Sequence, residues 1–383
     1  MGCVYALTIY CAFAYDGVTV YGLNSQVTER RMEMTLPVYH IQVSANEYQR
    51  LTSNIWSEVF SNGTMRMDGK QLPIRIRYRG GHTRAYAKKS FEVRTSSRTF
   101  HFNAEYDDPS QLRNALSFRF FESIGVPAPS TRHCVLYLND QLAGVYVRIQ
   151  GVKSSFFRQR KMPVRSIFYA VNDHANFAVS SGSTDARTNV LSGYSLIRGD
   201  AGDRKRLGQF IQQLNAKSRM DLFHFLQSRV DITNYLRWLS GAVLTGNYDG
   251  FHQNYTWYEK ARSRKYGILP WDYEGTWGRN CYGAKVNPNL VRIQGYNKLT
   301  GRLLAFRVFR ERYKKLMQQH LENAFTEKRV MPLVYQLHDE IREDVEKDPF
   351  KKWSMNVFLD EPELIRRYVK ERREYVSNAL NQL

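Results

Sequence analysis

Four cysteines in 383 residues, Cys3, Cys11, Cys134 and Cys281, stand far apart, with no C-x-x-C pair and no spacing of a disulfide framework. That scarcity argues against structural zinc and points to a reducing compartment with free thiols. No apolar run approaches the length that crosses a bilayer, so no membrane partner is expected. Val4 to Cys11 is mostly apolar and runs into Ala12-Phe13-Ala14, but no cationic residue precedes it, and a secretory leader needs one. Met1-Gly2 opens as a myristoylation site does, yet position 6 is Ala where Ser or Thr is wanted. G-x-x-x-x-G-K-[ST], H-E-x-x-H and G-x-S-x-G are all missing, which disfavours phosphate-loop NTPases, zinc peptidases and serine hydrolases. The nine histidines show no metal-ligand spacing.

Basic residues, by contrast, are in excess: 56 Lys+Arg against 36 Asp+Glu give a net charge of +20. Such a balance favours anionic partners. The charges are spread along the whole chain, without a zinc knuckle, an RNP-type aromatic motif or a compact Lys/Arg block, so no nucleic-acid partner is expected. Hydrophobic residues at 43% and aromatics at 14% supply a sizeable core. The length suits a two-lobed enzyme with a shared cleft.

Residues 1–35 read as an N-terminal extension, with Met32 and Met34 as candidate native starts. From Leu36 the pattern is mostly β with one prominent helix. Strands are expected at Pro37–Val43, Thr64–Met67, Ile74–Tyr78 and Ser90–Arg94, and a hairpin turns at Asn139-Asp140. Helices are expected over Ala45–Trp56 and Pro109–Ile124. This region, 36–150, is assigned as an N-lobe that binds nucleotide. Residues 151–383 are assigned as a mostly helical C-lobe, with apolar faces at Ile232–Val243, Phe306–Met317 and Val334–Val345. Val179 to Asn189, rich in Ser, Gly and Thr, reads as a mobile loop.

The chemistry concentrates between Asp231 and Gly278. A helix ends at Gly246-Asn247, and Asp249 and Asn254 follow in a loop. Two short strands, Tyr255–Tyr258 and Lys265–Leu269, then run into Pro270-Trp271-Asp272-Tyr273-Glu274. Helix, Asp/Asn loop, hairpin and second Asp is the order of parts that protein kinases use. Phosphoryl transfer needs a carboxylate beside the attacking hydroxyl and oxygen ligands on the metal that bridges the phosphates. Asp249 suits the first task. Asn254, Asp272 and Glu274 suit the second, because Mg²⁺ takes carboxylate and amide oxygens and keeps some waters. His252 reads as a packing or hydrogen-bonding residue; His82 suits either a turn or a phosphate contact.

Asn247-Tyr-Asp249-Gly-Phe-His-Gln-Asn254-Tyr and Leu269-Pro-Trp-Asp272-Tyr-Glu-Gly-Thr-Trp-Gly278-Arg resemble the signature of the CotH kinases. So do Tyr78-Arg79-Gly80 with Lys88-Lys89-Ser90-Phe91, Asn103-Ala-Glu-Tyr-Asp-Asp-Pro-Ser110 through Leu112-Arg113-Asn114, Gly125-Val126-Pro127, Gly144-Val145-Tyr146 and Val291-Arg-Ile-Gln-Gly-Tyr-Asn297. The resemblance covers roughly Leu36 to Phe325. It implies an α+β, protein-kinase-like two-lobed fold, with ATP in the cleft between a β N-lobe and a helical C-lobe. It implies transfer of the ATP γ-phosphoryl group, with Mg²⁺ or Mn²⁺, to Ser/Thr of Ser-rich spore coat proteins in the coat or mother-cell cytoplasm. By position, Asp249 is the catalytic-loop Asp, Asn254 and Asp272 are metal ligands, and Lys89 or its neighbour Lys88 grips the phosphates with Arg79 assisting. Adjacent strand residues face opposite ways, so only one of the two lysines can enter the cleft. Two departures stand out: Glu274 replaces the family's second Asp, and Gln150 and Lys153 stand where acids are usual. The alternative expectation is a catalytically weak pseudokinase that scaffolds coat assembly.

Overall fold

The computed structural model describes residues 36–67, 69–179 and 190–383. The expected extension, its candidate start sites and the expected mobile loop, apart from Val179, lie outside the described residues. Thr35–Leu383 forms one continuous unit.

Seven strands come first: β1 (Val38–Gln42), β2 (Ser61–Met67), β3 (Lys70–Arg79), β4 (Ser90–Arg94), β5 (Thr99–Asn103), β6 (Thr131–Leu138) and β7 (Gln141–Gln150). Helix α1 (Ala45–Ser53) joins β1 to β2, and α2 (Arg113–Ser123) lies between β5 and β6. The strands close in the order β1-β2-β3-β4-β5-β7-β6, with β1 parallel to β6. Expected only as a mostly β region with one hairpin, they form a barrel because β1 returns to pair with β6, a contact between distant segments. Period-two alternation turns Ile74, Ile76 and Tyr78 inward, where they meet Tyr39, Phe91, Val93 and Phe102. Strand β5 escaped the sequence pattern because Thr99–Asn103 is buried at four of its five positions and shows little alternation.

A four-stranded antiparallel sheet follows, ordered β11-β10-β8-β9, from β8 (Val164–Ala170), β9 (Tyr194–Arg198), β10 (Tyr255–Lys260) and β11 (Tyr266–Pro270). Around it lie α3 (Ser154–Gln159), α4 (Ala201–Ala216), α5 (Arg219–Arg229), α6 (Ile232–Thr245), α7 (Lys298–Leu304), α8 (Arg307–Asn323), α9 (Glu327–Lys347) and α10 (Met355–Leu380). Helix α6 is the axis of this part. The side chain of Asp231 caps it by accepting from Asn234 N at 3.1 Å, and nearly every residue along it is buried. It ends at Gly246, whose φ of 74° is left-handed; a Cβ there would lie 2.3 Å from the Tyr368 hydroxyl, so only glycine fits.

The prominent helix α2, expected within the β region, instead buries Leu112, Leu116 and Phe120 in the large core of the helical part. Charges hold the joint. Arg113, fully buried, pairs with Asp108 and with Glu361 of α10 (2.7 Å), and its Nε donates to the Thr276 carbonyl at 2.8 Å. Arg279 shares Glu361. Arg372 donates to the Val243 carbonyl through Nε (3.0 Å) and Nη2 (2.6 Å), closing the open end of α6.

Replacing Arg113 with Ala leaves buried Asp108 without a cation and takes one of two guanidinium partners from Glu361. We expect Arg113→Ala to lower unfolding free energy by about 3–5 kcal/mol, measured by urea denaturation, with a matching fall in Tm.

Candidate active site

The short 3₁₀ turn Asp249–Phe251 follows Gly246 directly and puts Asp249 at the end of α6. Tyr255 then pairs with Pro270, and Trp271 N donates to the Asn254 carbonyl at 3.1 Å. That register brings Asn254, the residue entering β10, beside Asp272, the residue leaving β11. Both adopt left-handed backbone, φ 60° and 58°. Such conformations are disfavoured for side-chain-bearing residues and persist where the surroundings impose them.

Two asparagines brace the backbone at Asp272. Asn247 accepts from Gly250 N (3.0 Å) and donates to the Asp272 carbonyl (3.3 Å), tying the loop to the strand exit. Asn114 of α2 accepts from Tyr273 N at 2.6 Å and donates to both Glu105 oxygens, at 3.0 and 3.1 Å. Neither was singled out in the sequence. Both stand in motifs quoted for the resemblance, but their braces span chain separations that sequence pattern does not reveal.

A cleft of about 410 Å³ opens over these groups, lined by Arg79, Lys88, Asp249, Asn254, Asp272 and Glu274 among others. The barrel side adds Glu105 and Asp107, which sequence analysis quoted without a role. Five carboxylates therefore face one cavity in a strongly basic chain. Burial raises the Asp272 pKa, the Asp249 charge adds to that, and Arg79 opposes it. Burial, followed by Asp272 and Glu105, pushes Glu274 well above the carboxylate range. Glu105, buried beside Asp108, rises to about 8. Burial, with the Asp249 charge adding to it, pushes the Cys281 thiol up to about 12, so it stays protonated.

The cations divide. Arg79, half-buried at the end of β3, donates to Asn103 Oδ1 and lies in the fields of Asp272, Glu92 and Glu274. Lys88 lines the cleft, but its ammonium is committed to Asp348 at 2.7 Å and to the Val145 carbonyl at 2.5 Å. Lys89 is not among the lining residues; its Nζ donates to the Arg84 carbonyl at 2.7 Å. Both lysines thus have partners, and Arg79 faces Asp272, Glu274 and Glu105, while Lys352 pairs with Asp107 at 2.5 Å. His82 lines the cleft as well, whereas His252 is exposed. Lys153, in place of the family's acid, pairs with Glu92 at 3.0 Å, a carboxylate shared with Arg77 and Arg94. Gln150 donates to Gln159 at 2.6 Å. Among the described residues, no three His, Cys, Asp or Glu side chains converge to hold a metal by themselves.

Residues 76–376, which include every group named as a candidate, match the family model described as CotH kinase protein. The chain belongs to the CotH family. It is 35% identical over 359 residues to inner spore coat protein H of Bacillus subtilis strain 168, covering 92% of this chain and 99% of that one. Inner spore coat protein H-like protein of the same organism is 27% identical over 324 residues, covering 84% and 94%. The crystal structure of the Helicobacter pylori proinflammatory kinase CtkA aligns with 76% of this chain and 94% of its own at 9% identity, with a TM-score of 0.31, too low to carry an argument. No helix among the described residues is long and apolar enough to cross a membrane.

Two outcomes follow. Between its ordinary value of 4.5 and about 8, folded Glu105 keeps a proton that the unfolded chain has released. Stability of the metal-free chain therefore falls as pH rises through that window, and Glu105→Gln flattens the slope, measured by chemical denaturation at stepped pH. Asp348→Asn leaves the buried Lys88 charge uncompensated and costs about 3–5 kcal/mol, whereas Lys89→Ala stays within about 0.5 kcal/mol of the parent.

Proposed function

We propose that this CotH family member is a two-lobed, Mg-ATP-dependent protein serine/threonine kinase acting on Ser-rich spore coat proteins in the coat or mother-cell cytoplasm. The observation that carries the proposal is the meeting of Asp249, Asn254 and Asp272 with Arg79 in one cleft, lined from the barrel on one side and from the α6–β10–β11 segment on the other.

The residues fit the nucleotide and its metal. Crowded, partly buried carboxylates raise one another's pKa, and a divalent cation relieves that repulsion. Without a closed protein cage, Asp272 and Asn254 would hold Mg²⁺, or Mn²⁺, from one side, leaving coordination positions for phosphate oxygens and water. Glu274, one methylene longer than the family's usual Asp, lines the same cleft and is assigned a supporting part in the same metal site. Bound there, Mg-ATP supplies the transferable phosphoryl group. Arg79 neutralises phosphate charge, the task first considered for Lys88 or Lys89. Asp249 orients the substrate hydroxyl and takes its proton at a carboxylate oxygen, while the Asn247 brace holds that region in place.

The commitment of both lysines keeps a second reading in view, a catalytically weak pseudokinase that scaffolds coat assembly. Incubation of purified chain with labelled ATP, Mg²⁺ or Mn²⁺ and a Ser-rich coat protein separates the two. For a kinase, Asp249→Ala lowers kcat by about 10²–10⁴-fold, and Asp272→Ala abolishes metal-dependent incorporation. Incorporation absent with either ion, or unchanged in both variants, establishes the scaffold instead.

A further inference from the structure

Away from the cleft, four arginines surround two buried acids. Glu259 of β10 is 1% exposed and Asp203 of α4 is 4% exposed, whereas the arginines keep a quarter or more of their side chains in solvent. Arg165 donates to Asp203 at 2.8 Å, Arg206 pairs with the same carboxylate, and Arg264 approaches Glu259 at 3.0 Å. Arg206, Arg229 and Arg165 reach Glu259 only at 3.8, 3.9 and 4.0 Å, beyond hydrogen-bond distance. Four guanidinium groups against two carboxylates leave two positive charges uncompensated. Each guanidinium carries about five N–H donors and each carboxylate about four acceptor sites, so most of the ring's donors remain for another partner.

The ring opens onto a groove of about 640 Å³ between α4 and α5, with Arg206 and Arg229 at its wall beside His224, Lys217 and Asp221, the last two offsetting each other's charge. Its floor is the stacked pair Phe210 and Phe225, whose ring centroids are 5.5 Å apart. These rings are 2% and 9% exposed, so they are not offered for base stacking as a single-stranded nucleic-acid groove would require. The cations also form a compact ring at one short groove rather than a stripe matched to successive phosphates. Arginine forks suit phosphate, and a phosphoserine carries about −1.5 to −2 charge, matching the surplus here.

We propose that this ring and groove dock a phosphoserine-bearing segment of a protein partner. Glu259 lies five residues along β10 from Asn254, a span of roughly 17 Å at about 3.3 Å per residue. A substrate already phosphorylated at one serine is thereby held within reach of the cleft while another serine is presented. The identity of the partner rests on the kinase reading, since phosphoserine is that reaction's product; the anion site itself does not.

Fluorescence anisotropy with the Asp272→Ala chain separates the two, because binding is then read without catalysis. The probes are a twelve-residue Gly/Ser peptide with two phosphoserines, its unphosphorylated twin, and a single-stranded oligonucleotide of equal charge. The phosphopeptide is expected to bind most tightly and to lose about tenfold or more in affinity in Arg206→Ala/Arg229→Ala. Arg206→Lys/Arg229→Lys, which keeps the charge and removes the forks, should fall between, with unfolding midpoints confirming that all variants are folded. In the Asp272-intact chain, phosphorylation of a short unphosphorylated acceptor should be unchanged by the arginine substitutions. Equal affinity for the two peptides, phosphopeptide affinity unaffected by the double substitution, or tighter oligonucleotide binding lost in the same variants would overturn the proposal.

Discussion

Tyr255 stands opposite Pro270 in antiparallel register, and the candidate site depends on that pairing. A one-residue slip would separate Asn254 from the strand exit and turn β10's buried Tyr255, Trp257 and Glu259 to the opposite face. The register is secured from below by α6, whose Asn234 side chain accepts from Ile268 N at 2.7 Å. It is secured from above by the Asn247 bond to Asp272. Helix, loop and hairpin therefore act as one rigid support for two side chains held on left-handed backbone.

Buried charges tie that support to the rest of the molecule. Arg113, Arg279 and Glu361 connect α2, the segment after Asp272 and α10, while Lys88 and Asp348 connect the barrel to the end of α9. Each ion costs several kcal/mol to desolvate, so these pairs are weak evidence for stability. What they determine is geometry: a buried carboxylate accepts only an arrangement that satisfies it. Lys88 illustrates the consequence, since its buried ammonium is held on Asp348 while its side chain lines the cleft.

Charge is distributed unevenly in a chain of net +20. The cleft gathers Asp249, Asp272, Glu274, Glu105 and Asp107 around Arg79, whereas the far end of β10 gathers arginines around Glu259. One strand thus runs from an acidic pole suited to a cation toward a basic pole suited to an anion. Composition alone shows only the sum.

Local chemistry wrote much of this into the sequence. The alternation of Ile74, Ile76 and Tyr78, the Gly246 stop, the turn at Asn139-Asp140 and the order Asp249, Asn254, Asp272 were legible because each depends on residues near one another in the chain. Closure of the barrel was not legible, because β1 meets β6 across 97 positions, Val38 pairing with Val135. The strands β8 and β9 and the long helix α10 also escaped, their periodicity blurred by burial on more than one face or interrupted by charge. The competition between Lys88 and Lys89 could be posed from sequence but not decided. Asp348 lies 260 positions from Lys88, and only a folded chain excludes enough water to make that partner binding.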